Sequence, residues 1–226
     1  MIAVILLAAA APAAAPLQLA WPAACEPGRS CFVQNYFDPD PGPGARDYAC
    51  GSMTYQGHDG VDIRLPSLTQ MRAGVAVTAA APGKVVGIRD GVADISIRSP
   101  GAPAVKGIEC GNGLAIDHGG GWRTQYCHMK KGSLRVKPGM TVRAGQALGQ
   151  IGLSGNTEFP HLPLSVFHNG RAVDPFAFGA AAGACRQLRL TRSVTRDGDL
   201  QNPPGDLPRL GDALGQGYDV ASGRRL

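Results

Sequence analysis

An all-β domain is what this sequence predicts, a small antiparallel β-sandwich or open barrel with a groove and irregular termini. Three observations predict it. Apolar and polar residues alternate in short runs such as Val61-Asp62-Ile63-Arg64-Leu65, the period of a half-buried strand. The chain carries 32 glycines and 18 prolines in 226 residues, which favours strands joined by turns over long helices. Glycine-rich turns such as Gly119-Gly120-Gly121 and Asn169-Gly170 then separate those runs, where tight hairpins need positive φ.

Taken in order, Met1 to Ala15 is apolar and alanine-rich and is too short to span a bilayer. Residues 1–15 are expected to be a secretory signal peptide, although no Lys or Arg stands near its start. Residues 16–56 are expected to form an irregular Cys/Pro-rich lead-in. Asp38-Pro39-Asp40-Pro41-Gly42-Pro43-Gly44 can be neither helix nor central strand, and the segment is placed across the groove. Residues 57–178 hold the β domain. Its expected strands are Val61–Leu65, Val75–Ala80, Lys84–Ile88, Ala93–Arg98, Gly113–His118, Trp122–His128, Val136–Val142, Gln146–Ile151 and His161–Phe167, with Val173 beginning a return. Residues 179–226, with Pro203-Pro204-Gly205, read as a loosely ordered extension, tied down by Cys185.

Six cysteines (Cys25, Cys31, Cys50, Cys110, Cys127 and Cys185) behind a signal segment suggest disulfides in an oxidising compartment, secreted or periplasmic. Cys110 and Cys127 flank a hairpin and are the one pair suggested. No Cys-x-x-Cys occurs, so a thiolate zinc site has little support. The formal charge is +5 and the charges are scattered. Without a basic stripe interleaved with aromatics, nucleic acid is not expected as a partner. An anionic polymer such as cell wall suits the balance better. Stable membrane insertion is not expected, and a monomer is.

His58-x-x-x-Asp62 sets two good ligands for a divalent metal four positions apart, with Gly57 and Gly60 arguing for a loop that runs into a strand. Asp62 then aims its carboxylate away from the Val61 face. Strand alternation places His128 and Tyr126 on one face and Cys127 on the other; it also groups His161, Pro163 and Ser165. His168 has the opposite parity and points away. His118 packs locally, and Trp122 and Tyr126 either line the groove or fill the core.

With these residues together the text resembles the lysostaphin-type (LytM-like, duplicated hybrid motif) peptidoglycan metalloendopeptidases over about half the chain. The resemblance rests on His58-x-x-x-Asp62, Ile116-Asp117-His118-Gly119, Tyr126-Cys127-His128, Val136-Lys137-Pro138-Gly139, Gly149-Gln150-Ile151-Gly152, Pro160-His161-Leu162 and Val173-Asp174-Pro175. It implies a zinc endopeptidase acting on the peptide cross-links of bacterial peptidoglycan. It implies His58 and Asp62 as metal ligands and His128 and His161 as catalytic residues. One position departs. Where the family pattern has the second His of His-x-His, this chain has Pro163, which has no ligating atom and no N–H for a central ladder. Two protein ligands remain where catalytic zinc sites use three, so a weak or incomplete zinc site is expected. Glu158, Ser165 and His168 are the spare groups nearby. A degenerate site, a rearranged one, and a point variant or sequence error at 163 all stay open. The alternative function is a non-catalytic cell-wall-binding or regulatory module.

Overall fold

In the computed structural model, residues 17–179 are described, together with the backbone of a two-stranded pair, Tyr218–Asp219 (β11) and Arg224–Arg225 (β12). The expected signal peptide, and the extension beyond residue 179 apart from that pair, lie outside the described residues.

The strands are Phe32–Asn35 (β1), Val61–Arg64 (β2), Ala76–Thr78 (β3), Gly83–Arg89 (β4), Asn112–Gly119 (β5), Trp122–Met129 (β6), Thr141–Val142 (β7), Ala147–Gln150 (β8), His161–His168 (β9) and Arg171–Val173 (β10). Eight of them form one open antiparallel sheet in the order β1-β2-β9-β6-β5-β4-β7, with β10 paired to β9; β3 and β8 make a separate small sheet. The all-β expectation holds, and the sheet is open rather than a closed barrel. No described helix is long and apolar enough to cross a membrane.

Alternation drives this arrangement. Val61 and Ile63 of β2, Leu162, Leu164 and Val166 of β9, and Trp122 and Tyr126 of β6 turn into one buried core. Burial of such side chains, each stabilising by about 1.5–3 kcal/mol, fixes register, because a one-residue slip would expose the whole set. Tyr126 is fully buried, and its hydroxyl accepts the Ala80 N–H at 2.8 Å. It fills the core and does not line the groove.

Four expectations need correction. The lead-in is not wholly irregular: β1 pairs antiparallel with β2, and Ala20 and Ala24 donate N–H groups to the Ala80 and Ala76 carbonyls. Ala93–Arg98 is not a strand. Only a bridge at Asp94 remains, because the Asn112 side chain holds Val92 and the Asp94 carboxylate caps Lys131 and Leu153 N–H groups. Only Thr141–Val142 of the expected 136–142 strand pairs, after the Pro138-Gly139 turn. A short helix, Leu68–Ala73 (α1), was not anticipated; Ser67 caps its first turn and Gly74, at φ 91°, ends it.

The fourth correction bears on function. His128 does not share a face with Tyr126. On β6, Cys127 and His128 together oppose the single residue Gly113, a bulge that the register shift between Asn112 and Leu114 records. His128 has φ 54°, outside the strand region, and swings to the Cys127 side. Gly113 makes this possible: a Cβ there would run into the Tyr126 carbonyl. Gly113→Ala is therefore expected to cost about 1–3 kcal/mol and to lower the urea midpoint.

Within the core Tyr36, Tyr48 and Phe176 pack with ring centroids 5.0–5.1 Å apart. Beside them Asp174 is buried; its Oδ1 accepts the Phe176 N–H at 2.8 Å, and its Oδ2 has no partner. Burial, with the Asp47 charge adding, pushes this carboxyl up to about 6, against the Phe176 and Ala177 N–H groups. Its folded value thus lies above its unfolded one. The stabilisation is full below about pH 4 and is lost as pH rises through about 6, a loss of about 3 kcal/mol. Asp174→Asn should match the wild type near pH 4 and exceed it in thermal stability at pH 7.

Candidate metal centre and cleft

Gly57 (φ 74°) turns the chain into Gly60-Val61, so that β2 begins with Val61 in the core and Asp62 on the opposite face. Gly60 itself has no room for a side chain, lying against the Leu164 backbone and the Ser165 hydroxyl. The expected placement of Asp62 holds. Four side chains then meet in a cleft of about 620 Å³: His58 and Asp62 from the start of β2, His161 from β9 and His128 from the β6 bulge. His58 Nε2 is 3.2 Å from Asp62 Oδ2, and His161 Nε2 is 3.7 Å from Asp62 Oδ1. The rings of His128 and His161 stand 4.8 Å apart. All four residues singled out in the sequence are brought together.

Each imidazole is held the same way. His58 Nδ1–H donates to the Tyr36 carbonyl at 2.7 Å, His128 Nδ1–H to the Ser154 carbonyl at 2.7 Å, and His161 Nδ1–H to the Phe159 carbonyl at 2.8 Å. A carbonyl only accepts, so the proton sits on Nδ1 and Nε2 is left for the cleft, as in histidine metal and catalytic sites. The Asp62 carboxylate also accepts from Asn35 Nδ2 at 3.0 Å.

The electrostatics follow. Burial opposes charge on His58, but the Asp62 hydrogen bond and charge and the Tyr36 carbonyl outweigh it and raise its pKa. Burial pushes Asp62 upward, yet His58, His161 and Asn35 hold its carboxyl below the usual range. His128 goes the other way: burial and the nearby His161 push it down to about 4, so it is neutral at neutral pH.

Pro163 is the directly opposed neighbour of Asp62 in the β2–β9 register. The Leu65 N–H donates to the Pro160 carbonyl, which sets the alternation: the even residues of β9 face β2 and the odd ones face β6. Pro163, an odd residue, therefore owes its missing N–H to β6, and the β6–β9 register ends at Tyr126↔Leu164, one step short of it. A central strand thus tolerates this proline because its partner has already bulged away. The spare groups do not replace the ligand. Glu158 pairs with Arg98 at 2.6 Å on the rim, Ser165 donates to Asp59 at 3.5 Å, and His168 stacks 4.3 Å from Trp122, away from the cleft. His118 packs locally as expected, against the Pro82 carbonyl and the Thr124 hydroxyl.

The Cys110–Cys127 disulfide forms as suggested and walls the cleft beside His128; Cys25–Cys31 is a second bridge and Cys50 is also disulfide-bonded. The sequence reading missed Asn35, the Tyr36 carbonyl and Ser154. Asn35 gave no signal, standing in a segment without clear period. Ser154 lies in Gly152-Leu153-Ser154-Gly155, a segment whose role depends on the fold.

Residues 56–175 match the Peptidase family M23. The chain belongs to peptidase family M23. The M23 region covers the whole of β2 to β10 and both halves of the cleft, His58–Asp62 and His128–His161. Among curated proteins, peptidoglycan DD-endopeptidase ShyB of Vibrio cholerae is 31% identical over 117 residues, covering 52% of this chain and 22% of that protein. DD-carboxypeptidase/endopeptidase Mpg of Neisseria meningitidis is 29% identical over 122 residues, covering 54% and 23%. The chain thus spans under a quarter of the length of these relatives. Among solved structures, the catalytic domain of the antimicrobial peptidase lysostaphin from Staphylococcus simulans is 25% identical, with TM-score 0.38, covering 62% of this chain and 85% of that one.

M23 peptidases are zinc metallopeptidases. The donors present fit zinc in kind: tautomer-fixed imidazoles around one carboxylate, with backbone carbonyls behind each ring. They fall short in number on the Pro163 side. Among the described residues no three His, Cys, Asp or Glu side chains gather as a complete metal cage.

Proposed function

We propose that this chain is a cell-envelope protein built as an M23 zinc endopeptidase for the peptide cross-links of bacterial peptidoglycan, with its metal site weakened at Pro163. The observation that carries this reading is the meeting of His58, Asp62, His128 and His161 in one cleft, with each ring fixed from behind. His58 and Asp62 would hold the metal. Zinc held there would supply Lewis acidity to the scissile carbonyl and to an attacking water. His128, neutral at neutral pH, is suited to accept a proton at Nε2 from that water and pass it to the leaving amine. His161 faces the same space and is suited to hydrogen-bond the oxyanion. Residues 1–15 would direct the chain out of the cytoplasm.

A second reading, a non-catalytic wall-binding or regulatory module, is favoured by Pro163, since none of Glu158, Ser165 and His168 stands in for the absent ligand. Purified protein incubated with cross-linked muropeptides separates the two. Cleavage that a chelator abolishes supports the enzyme. Binding without cleavage at saturating zinc supports the module.

A further inference from the structure

The family match begins at residue 56, yet the groups that hold the metal pair from behind come from before it. β1 lies outside the matched region, at the edge of the sheet beside β2. A register shift between Val33 and Asn35 brings Asn35 opposite Asp62, while Val33 stays opposite Ile63 in the core. Asn35 Nδ2 then donates to Asp62 Oδ2 at 3.0 Å, the same oxygen that faces His58. The next residue, Tyr36, gives its carbonyl to His58 Nδ1–H at 2.7 Å. Two residues further, the Asp38 N–H donates to the His58 carbonyl at 2.9 Å, and the Asp38 carboxylate accepts the Gly57 N–H at 2.9 Å. Four contacts from one short stretch thus fix both ends of His58-x-x-x-Asp62.

We propose that Asn35 is a positioning residue of the metal centre, clamping the Asp62 carboxylate from β1 on the side opposite Pro163. This rests on the reading that His58 and Asp62 hold the cation. Asp62 stands between two cross-strand neighbours, Asn35 and Pro163. On the Pro163 side the opposed residue offers no donor, and the carboxylate meets only His161 Nε2, 3.7 Å from Oδ1. On the other side Asn35 takes one lone pair of Oδ2 and leaves Oδ1 turned toward His161. A carboxylate held by one fixed donor presents a defined edge to a cation, and loss of such outer partners typically weakens metal binding about 10–100-fold. The M23 fold without β1 would therefore carry the ligands but not the support that aims them.

The test uses the full-length chain, both wild type and Pro163→His, with zinc affinity measured by competition against a chromophoric chelator. Asn35→Leu in each background should bind zinc about 10–100-fold more weakly with an unchanged thermal midpoint of the zinc-free protein. Asn35→Ser keeps a short donor and serves as the second variant if the leucine protein is unstable; its affinity should fall between the two. Gln34→Ala, the neighbour in the same bulge, should leave affinity within about twofold, the ordinary result for a surface change. Equal zinc affinity in the Asn35 variants overturns the proposal while leaving the metal reading intact. Higher affinity overturns it too, since Asn35 would then compete with the cation for Asp62. Absence of zinc from Pro163→His with Asn35 intact overturns the metal reading, and the proposal with it.

Discussion

A histidine placed at position 163 should raise the zinc affinity of this protein on the order of 10²-fold or more. Zinc content is expected to rise from well below one to near one per chain at low micromolar metal. The geometry is already prepared. Position 163 opposes Asp62 across a non-hydrogen-bonded pair, where side chains approach most closely, and it shares its face with His161. A new imidazole there would join His58 and Asp62 to give the three protein ligands that catalytic zinc sites use. The regained N–H would point toward β6, where the ladder now stops at Tyr126↔Leu164. Binding should weaken as pH falls, because the cation replaces the proton shared by His58 and Asp62. Isothermal titration with zinc checks the affinity, and muropeptide digestion with and without chelator checks the gain of cleavage. Unchanged zinc content would mean that position 163 is not where the third ligand belongs.

Replacing Cys110 and Cys127 together by serine should cost about 3 kcal/mol, the usual effect of opening a loop of this length. That corresponds to a fall in thermal midpoint of roughly 6–12 °C. The bridge joins residues 17 apart in sequence and ties the loop before β5 to the β6 bulge. It also sits in a ring of contacts around His128. The His128 N–H donates to the Cys110 carbonyl, its Nδ1–H to the Ser154 carbonyl, and the Ser154 hydroxyl holds both the Asn112 N–H and the Met129 carbonyl. Amide exchange at His128 and Gly111 should therefore quicken more than at β2. Cys25–Cys31 closes a loop of only 6 in the lead-in, and its loss should leave His128 protected. Equal exchange at His128 in the two double variants would contradict this account of the bulge.

Much of the site was legible because its residues obey local rules. Gly57 and Gly60 announce the turn before β2, and strict alternation from Val61 puts Asp62 on the cleft face. The same alternation separates His161 from His168 on β9, one into the cleft and the other against Trp122. His128 broke the rule. Its side is set by a bulge that exists because Gly113, in another strand, leaves room for it, and no local pattern near His128 carries that information. Asn35 was illegible for a related reason. Its neighbour is Asp62, 27 residues on, and only the pairing of β1 with β2 connects them. Ala93–Arg98 misled in the opposite direction. Its alternation is real, but the Asn112 and Asp94 side chains hold the segment as a loop.

The central claim is that His58 and Asp62 form the metal pair and that position 163 completes it, with His128 and His161 across the cleft. Crystals of the Pro163→His protein soaked in zinc, with anomalous diffraction recorded at the zinc edge, test it most directly. One peak is expected about 2.0–2.2 Å from His58 Nε2, an Asp62 oxygen and the new imidazole, with the His128 and His161 rings facing it unligated. A peak held by His128 and His161 instead, or none in the cleft at saturating zinc, would contradict it.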